Sequence, residues 1–338
     1  MFGLAFVQIR SSHGSVSDFG SNGKSAATLV DQLRRKYQSA LILPDGSPII
    51  DEFVTAPMLA MSQTCARLCA AVYGRQESLP EAMAIDGWKF DRLVTTPDLA
   101  AVCAIVYRDD GPAPSTIVVW RGTNLLNWAQ IKANRKGRRR KLTVNVPDVN
   151  GTQKAIEIDG TVHDGLAGEF GVVGRKLCRI IEGHIRAGRK IYVTGHSQGG
   201  GLAQITVAAL QAMARVQHNA DILPAGLITF GSMRAGDTAF AKYVESATTY
   251  APGQGDFGII RYRNNNDIVP TVPPTSCGYQ HAGDELYIWP AGMVTMNVPW
   301  PLKLIQRIKP LAAGIIGDSI ADHSVAEYVR HLERVRIP

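Results

Sequence analysis

The sequence predicts an α/β domain with a mostly parallel central sheet flanked by helices. Three observations point to it: short apolar or β-branched runs bounded by turn signals, amphipathic helical stretches between them, and a glycine-rich turn joining one run directly to a helix. Strand and helix in alternation imply right-handed crossovers and cover on both faces of the sheet.

Residues 1–50 read as an N-terminal lead-in that ends in a hairpin around Pro44, Asp45 and Gly46. Residues 51–338 read as one α/β domain. A helix is expected from Pro57 to Tyr73, then strands from Ala100 to Tyr107 and from Thr116 to Trp120. Leu166, Phe170, Val173, Leu177, Ile181 and Ile185 fall at three- and four-residue spacing, a helix that stops at Gly188. The run Lys190 to Thr194 is the next strand, and Leu202, Ile205, Ala209 and Met213 mark the helix after it. Strands from Gly226 to Phe230 and from Gly258 to Tyr262 follow, with a short helix capped by Asp237 between them.

Forty-five per cent hydrophobic and 19% charged residues are ordinary for a globular chain of 338 residues, which argues against disorder and against a membrane-spanning bundle. Five cysteines cannot all pair within the chain, so Cys65 and Cys69, one helical turn apart, are expected as reduced core residues. The apolar opening lacks a leading basic region and is broken by Arg10, so a cytoplasmic protein or one exported by a non-Sec route is expected. The net charge of +7 is local: Lys132, Arg135, Lys136, Arg138, Arg139, Arg140 and Lys141 supply seven cations, and the remainder of the chain balances to zero. No aromatic residue interleaves that run and no nucleic-acid motif accompanies it, so no nucleic acid is expected as partner.

Gly195, Ser197 and Gly199 fit the pattern G-x-S-x-G. Alone, such a match arises by chance in roughly one chain in six at this Gly and Ser content. Its position gives it weight, because it ends a strand and opens a helix, where a nucleophile elbow sits. A serine hydroxyl needs a base and an orienting carboxylate, which in this topology come later in the chain. Asp267 follows the strand ending near Tyr262, and His323 precedes the helix-like stretch around Tyr328. Asp221 and Asp256 read as loop residues, and His281 is the rival base. His196, next to the nucleophile, is expected to point away and to be structural. Backbone N–H groups of Thr123 and Gln198 are the expected oxyanion donors. Nothing in this chemistry calls for a metal or a cofactor.

These residues make the chain resemble the class 3 lipases, which have the α/β-hydrolase fold with a lid segment after the oxyanion loop. The likeness rests on Ile117-Val-Val-Trp-Arg-Gly-Thr123, Val162-His-Asp-Gly165, Val193-Thr-Gly-His-Ser-Gln-Gly-Gly200, Ile228 to Asp237, Asn266 to Pro270, and Asp322-His323, in the family's order. It implies Ser197, Asp267 and His323 as triad and Thr123 with Gln198 as oxyanion hole. Gln198 departs from it, since members usually carry Leu there. The resemblance also implies a lid where Leu125, Trp128 and Ile131 fall at helical spacing. The expected activity is hydrolysis of lipid acyl esters, of triacylglycerol lipase or phospholipase A type, with the seven-cation run as a peripheral contact for anionic lipid. The alternatives are a soluble short-chain or feruloyl-type esterase and a non-catalytic hydrolase-fold binding protein with a basic docking loop.

Overall fold

The computed structural model describes residues 54–111, 113–123, 137–247, 257–289, 293–298, 303 and 321–335. The predicted lead-in and hairpin of residues 1–50 lie outside these. Helix α1 (Ala56–Ala71) starts where Thr55 accepts a hydrogen bond from the Met58 amide and Pro57 presets the first turn. Strands β1 (Lys89–Thr95), β2 (Val102–Arg108) and β3 (Ser115–Trp120) follow. Helix α2 (Asp164–Arg186) then leads to β4 (Lys190–His196), and α3 (Gln198–Gln217) to β5 (Gly226–Phe230). Helix α4 (Thr238–Glu245), β6 (Gly258–Asn264), β7 (Asp284–Ile288), β8 (Val294–Met296) and α5 (Val325–Leu332) complete the frame.

The eight strands stand side by side in chain order. Strands β3 to β7 run parallel, while β1, β2 and β8 are antiparallel to their neighbours. A sheet that advances in one direction through right-handed crossovers must put its crossover helices on one face. Accordingly α2, α3 and α4 pack with Cys103, Ile105, Val118, Trp120, Ile191, Val193 and Leu227. The alternate residues Ala104, Val106, Ile117, Val119, Ile228, Phe230, Ile260 and Tyr262 face the other way, where α1 and α5 cover them. The two covering helices are joined where Gln63 donates to the Leu332 carbonyl at 2.9 Å.

The predicted stripe of α2 is buried from Leu166 to Ile181, and Gly188 ends it with φ near 76°. Each such fully buried side chain contributes about 1.5 to 3 kcal/mol. Asp237 does cap α4, accepting from the Phe240 amide at 3.0 Å. Cys65 and Cys69 are unbridged and buried, and burial pushes the Cys69 thiol up to about 12, which leaves it inert. Two features carry no apolar run and were not expected: the half-exposed edge strand β1, and a hairpin of Thr143–Pro147 with Gln153–Glu157. No helix among the described residues is long and apolar enough to cross a membrane.

Candidate active site

Strand β4 runs into Ser197 and α3 begins one residue later, so the chain reverses within a single residue. Ser197 takes φ 61° and ψ −126°, a conformation that a non-glycine residue holds only when its surroundings enforce it. The flanking glycines make room. A methyl on Gly195 would lie 2.3 Å from the Gly199 carbonyl oxygen, and one on Gly199 would lie 2.4 Å from that of Trp120. Trp120 is fully buried beneath the turn and donates to the Thr206 hydroxyl at 2.9 Å.

The three residues expected to act together are adjacent and buried. His323 Nε2 lies 2.8 Å from Ser197 Oγ, and His323 Nδ1 lies 3.0 and 3.1 Å from the Asp267 carboxylate oxygens. Asp267 can only accept from a ring nitrogen, so Nδ1 carries the proton and Nε2 faces the serine hydroxyl as an acceptor. Asp267 is fixed by two further donors, the Val269 amide at 2.8 Å and the Tyr328 hydroxyl at 2.6 Å. Burial and the neighbouring Asp267 hold the Tyr328 phenol well above its usual range, so it remains a donor.

Sequence reasoning missed several supports. The Asp322 carboxylate accepts from Asn265 Nδ2 and the Asn266 amide, and its carbonyl accepts from Asn264 Nδ2. It thereby ties the segment before His323 to the loop that carries Asp267, and its place beside His323 was the available signal. Gly231, with φ 55°, sits against the pair: a methyl there would be 2.6 Å from Asp267 Oδ2 and 3.0 Å from His323 Nδ1. Only glycine fits both the space and the backbone.

His196 has the structural part expected of it, with a definite partner set. Its Nε2–H donates to the His323 carbonyl at 2.8 Å, so Nδ1 is bare and the Tyr73 hydroxyl must donate to it, also at 2.8 Å. Burial, then the proximity of His323, pushes its pKa well below the usual imidazole value, so it is neutral. Its ring stacks on His323 with centroids 4.6 Å apart. The Tyr73 hydroxyl also abuts Gly122, where a methyl would come within 2.4 Å of it and 2.8 Å of the Ser197 Cβ. The strand end before Thr123 therefore lies directly on the serine, and the Gln198 amide opens α3 on its other side.

Gln198 does not point an apolar group at the site. Its Nε2 donates to both oxygens of Glu169 at 2.7 Å. Burial and nearby Asp98 push that carboxyl up to about 7, against the opposing effect of the Gln198 bond. The rival base His281 is engaged elsewhere, donating from Nε2 to the Pro270 carbonyl at 2.7 Å. Leu125, Trp128 and Ile131 of the expected lid lie outside the described residues, as do Lys132, Arg135 and Lys136. Arg139, Arg140 and Lys141 face acids, Asp237 at 3.5 Å, Asp164 at 3.1 Å and Glu157 at 3.1 Å.

Residues 117–277 match the family described as lipase (class 3). A lipase from Rhizomucor miehei is 30% identical over 200 residues, 58% of this chain and 47% of that protein. The chain thus spans less than half the length of the curated relatives it matches. The solved Rhizomucor miehei triacylglyceride lipase superposes with a TM-score of 0.51 at 26% identity, covering 72% of this chain and 84% of that one. A lipase structure from Rhizopus microsporus var. chinensis gives 0.54 at 23% identity, covering 76% and 86%, a likeness of fold. Residues 117–277, which hold both the elbow and the Asp267 loop, are thus similar to the class 3 lipases.

Proposed function

We propose that this chain is a serine carboxylic-ester hydrolase that cleaves lipid acyl esters through an acyl-enzyme. The carrying observation is the 2.8 Å approach of His323 Nε2 to Ser197 Oγ, with the far side of the imidazole held by Asp267. Ser197 attacks the ester carbonyl as His323 takes its proton, and the tetrahedral oxyanion is held by the Thr123 and Gln198 amides. His323 then protonates the departing alcohol. Water, deprotonated by the same ring, releases the acid. Asp267 orients His323 and stabilises its cation.

The names of the relatives, lipase and triacylglyceride lipase, support a lipid substrate. A lid at Leu125, Trp128 and Ile131 would cover Ser197 until a lipid surface accepts its apolar side. Anionic lipid would be met by the basic run, and the pairing of Arg139, Arg140 and Lys141 with acids shifts that role toward Lys132, Arg135, Lys136 and Arg138. A second reading, a soluble short-chain esterase, is favoured by the polar Gln198–Glu169 pair beside the nucleophile.

Turnover of a short-chain ester measured below and above its solubility limit separates the two readings. A lipase accelerates once an interface forms, whereas a soluble esterase simply saturates. Ser197→Ala should fold and lose hydrolysis by something on the order of 10⁶-fold. Near-parental activity in that variant removes the mechanism.

A further inference from the structure

On the crossover face of β6 and β7 the sheet carries charge where apolar residues would serve a core. Arg261 and Arg263 alternate with Ile260 and Tyr262, and their register neighbours on β7 are Glu285 and Tyr287. Arg234, from the loop after β5, and Lys303 join them around Glu285. Arg261, Arg263 and Glu285 are all buried.

Among the described residues, four cations thus meet one buried carboxylate. Glu285 is shared by Lys303 and, at 3.7 Å, by Arg261, whose guanidinium also leans on the Gly283 carbonyl at 3.4 Å. Arg234 donates from Nη1 to the Pro273 carbonyl at 2.8 Å, but its buried Nε has no partner among the described residues. The buried Nε of Arg263 has none there either, and that guanidinium is held only 6.0 Å over the Tyr287 ring. The other carboxylates that act on Arg261, Asp284 and Glu245, are exposed and screened by water. His281 cannot supply a counter-charge, and burial followed by Arg261 and Arg234 pushes its pKa well below the usual imidazole value, so it adds no further cation.

Burying guanidinium groups without a matching negative charge is strongly unfavourable, and their orphaned N–H donors add to the cost. An oxyanion would satisfy both deficits. Planar guanidinium forks match phosphate oxygens in pairs, and an excess of three positive charges among the described residues suits a dianion better than a carboxylate.

We propose that Arg234, Arg261, Arg263 and Lys303 form a binding site for a phosphate group, supplied either by free phosphate or by the phosphomonoester headgroup of a lipid. The proposal is independent of the hydrolytic reading. Since Arg263 directly precedes Asn264, occupancy would brace the strand end that leads to Asp267.

The test is calorimetric titration and thermal melting of the full chain with inorganic phosphate, with acetate at matched ionic strength as control. Phosphate should bind and raise Tm, and acetate should not. Arg263→Gln and Arg234→Gln should each weaken phosphate binding at least about tenfold. Arg263→Gln should melt no lower than the parent in phosphate-free buffer, since it removes an unmatched charge, so misfolding will not mask the result. Arg138→Gln and Arg140→Gln should bind like the parent. Vesicles of phosphatidylcholine with and without phosphatidic acid then identify the source. Phosphatidic-acid-dependent binding lost in Arg263→Gln assigns the headgroup, while unchanged vesicle binding with lost phosphate binding assigns the free ion. No phosphate effect up to about 10 mM, or an equal effect in parent and Arg263→Gln, overturns the proposal.

Discussion

His196 donates from Nε2 to the backbone carbonyl of His323, so the residue before the serine fixes the main chain of the residue that faces it. The Tyr73 hydroxyl completes this link from the end of α1 while also resting on Gly122. One phenol therefore touches the strand end before Thr123 and, through one imidazole, the His323 backbone.

Tyr73→Phe removes the donor to His196 Nδ1. In steady-state kinetics on a soluble ester, kcat should fall about tenfold, equivalent to about 1.4 kcal/mol, with KM close to parental. Unchanged kcat would mean that the link has no bearing on the reaction.

Tyr328→Phe takes the 2.6 Å donor from Asp267 and leaves the buried Asn264 amide without the phenol oxygen it donates to. Chemical denaturation should report a loss of about 1 to 3 kcal/mol. Activity should fall as well, because among the described residues only Val269 and His323 remain to hold the orientation of Asp267. A variant as stable as the parent contradicts this account of the buried carboxylate.

Gly231→Ala should reduce hydrolysis by about 100-fold or more, since misplacing reacting groups by even an ångström has that effect. Gly151, with φ 79° but open space around it, is the control: alanine there costs backbone strain and leaves activity intact. Comparable activities for the two variants would show that the Asp267–His323 pair tolerates displacement.

Glu169 gives a pH signature. Its carboxyl is pushed up to about 7 in the folded protein, above the 4.5 expected of it unfolded. A raised carboxyl pKa means that the folded state holds the proton more tightly. Its contribution is complete below pH 4.5 and is lost as pH rises toward and through 7. Melting of Glu169→Gln and parent across that window should show the parent losing Tm relative to the variant as pH increases. Parallel curves would place Glu169 in water, free of Gln198.

Much of this architecture is readable from local pattern. Apolar runs such as Ser115–Trp120 and the stripe from Leu166 to Ile181 declare themselves because burial on one or both faces dictates their composition. The edge strand Lys89–Thr95 does not, since only one side is paired and its residues meet water. At the site, Ser197, Asp267 and His323 could be ranked from motif and order. Tyr73 and Tyr328 could not, because their roles exist only through contacts with residues 123 and 61 positions away. Gln198 could be noted as unusual, but its partner Glu169 lies on a different helix and emerges only from packing.

The return of the chain to the far face of the sheet sets a timetable for synthesis. A ribosome delivers the strands in the order in which they stand, and Ser197 and Asp267 can be in place while His323 is still 56 residues from Asp267 along the message. Helix α5, which brings Tyr328 to Asp267 and docks against α1, comes later still. A nascent chain on this reading is chemically silent, with an unactivated serine, until that segment has emerged and folded back.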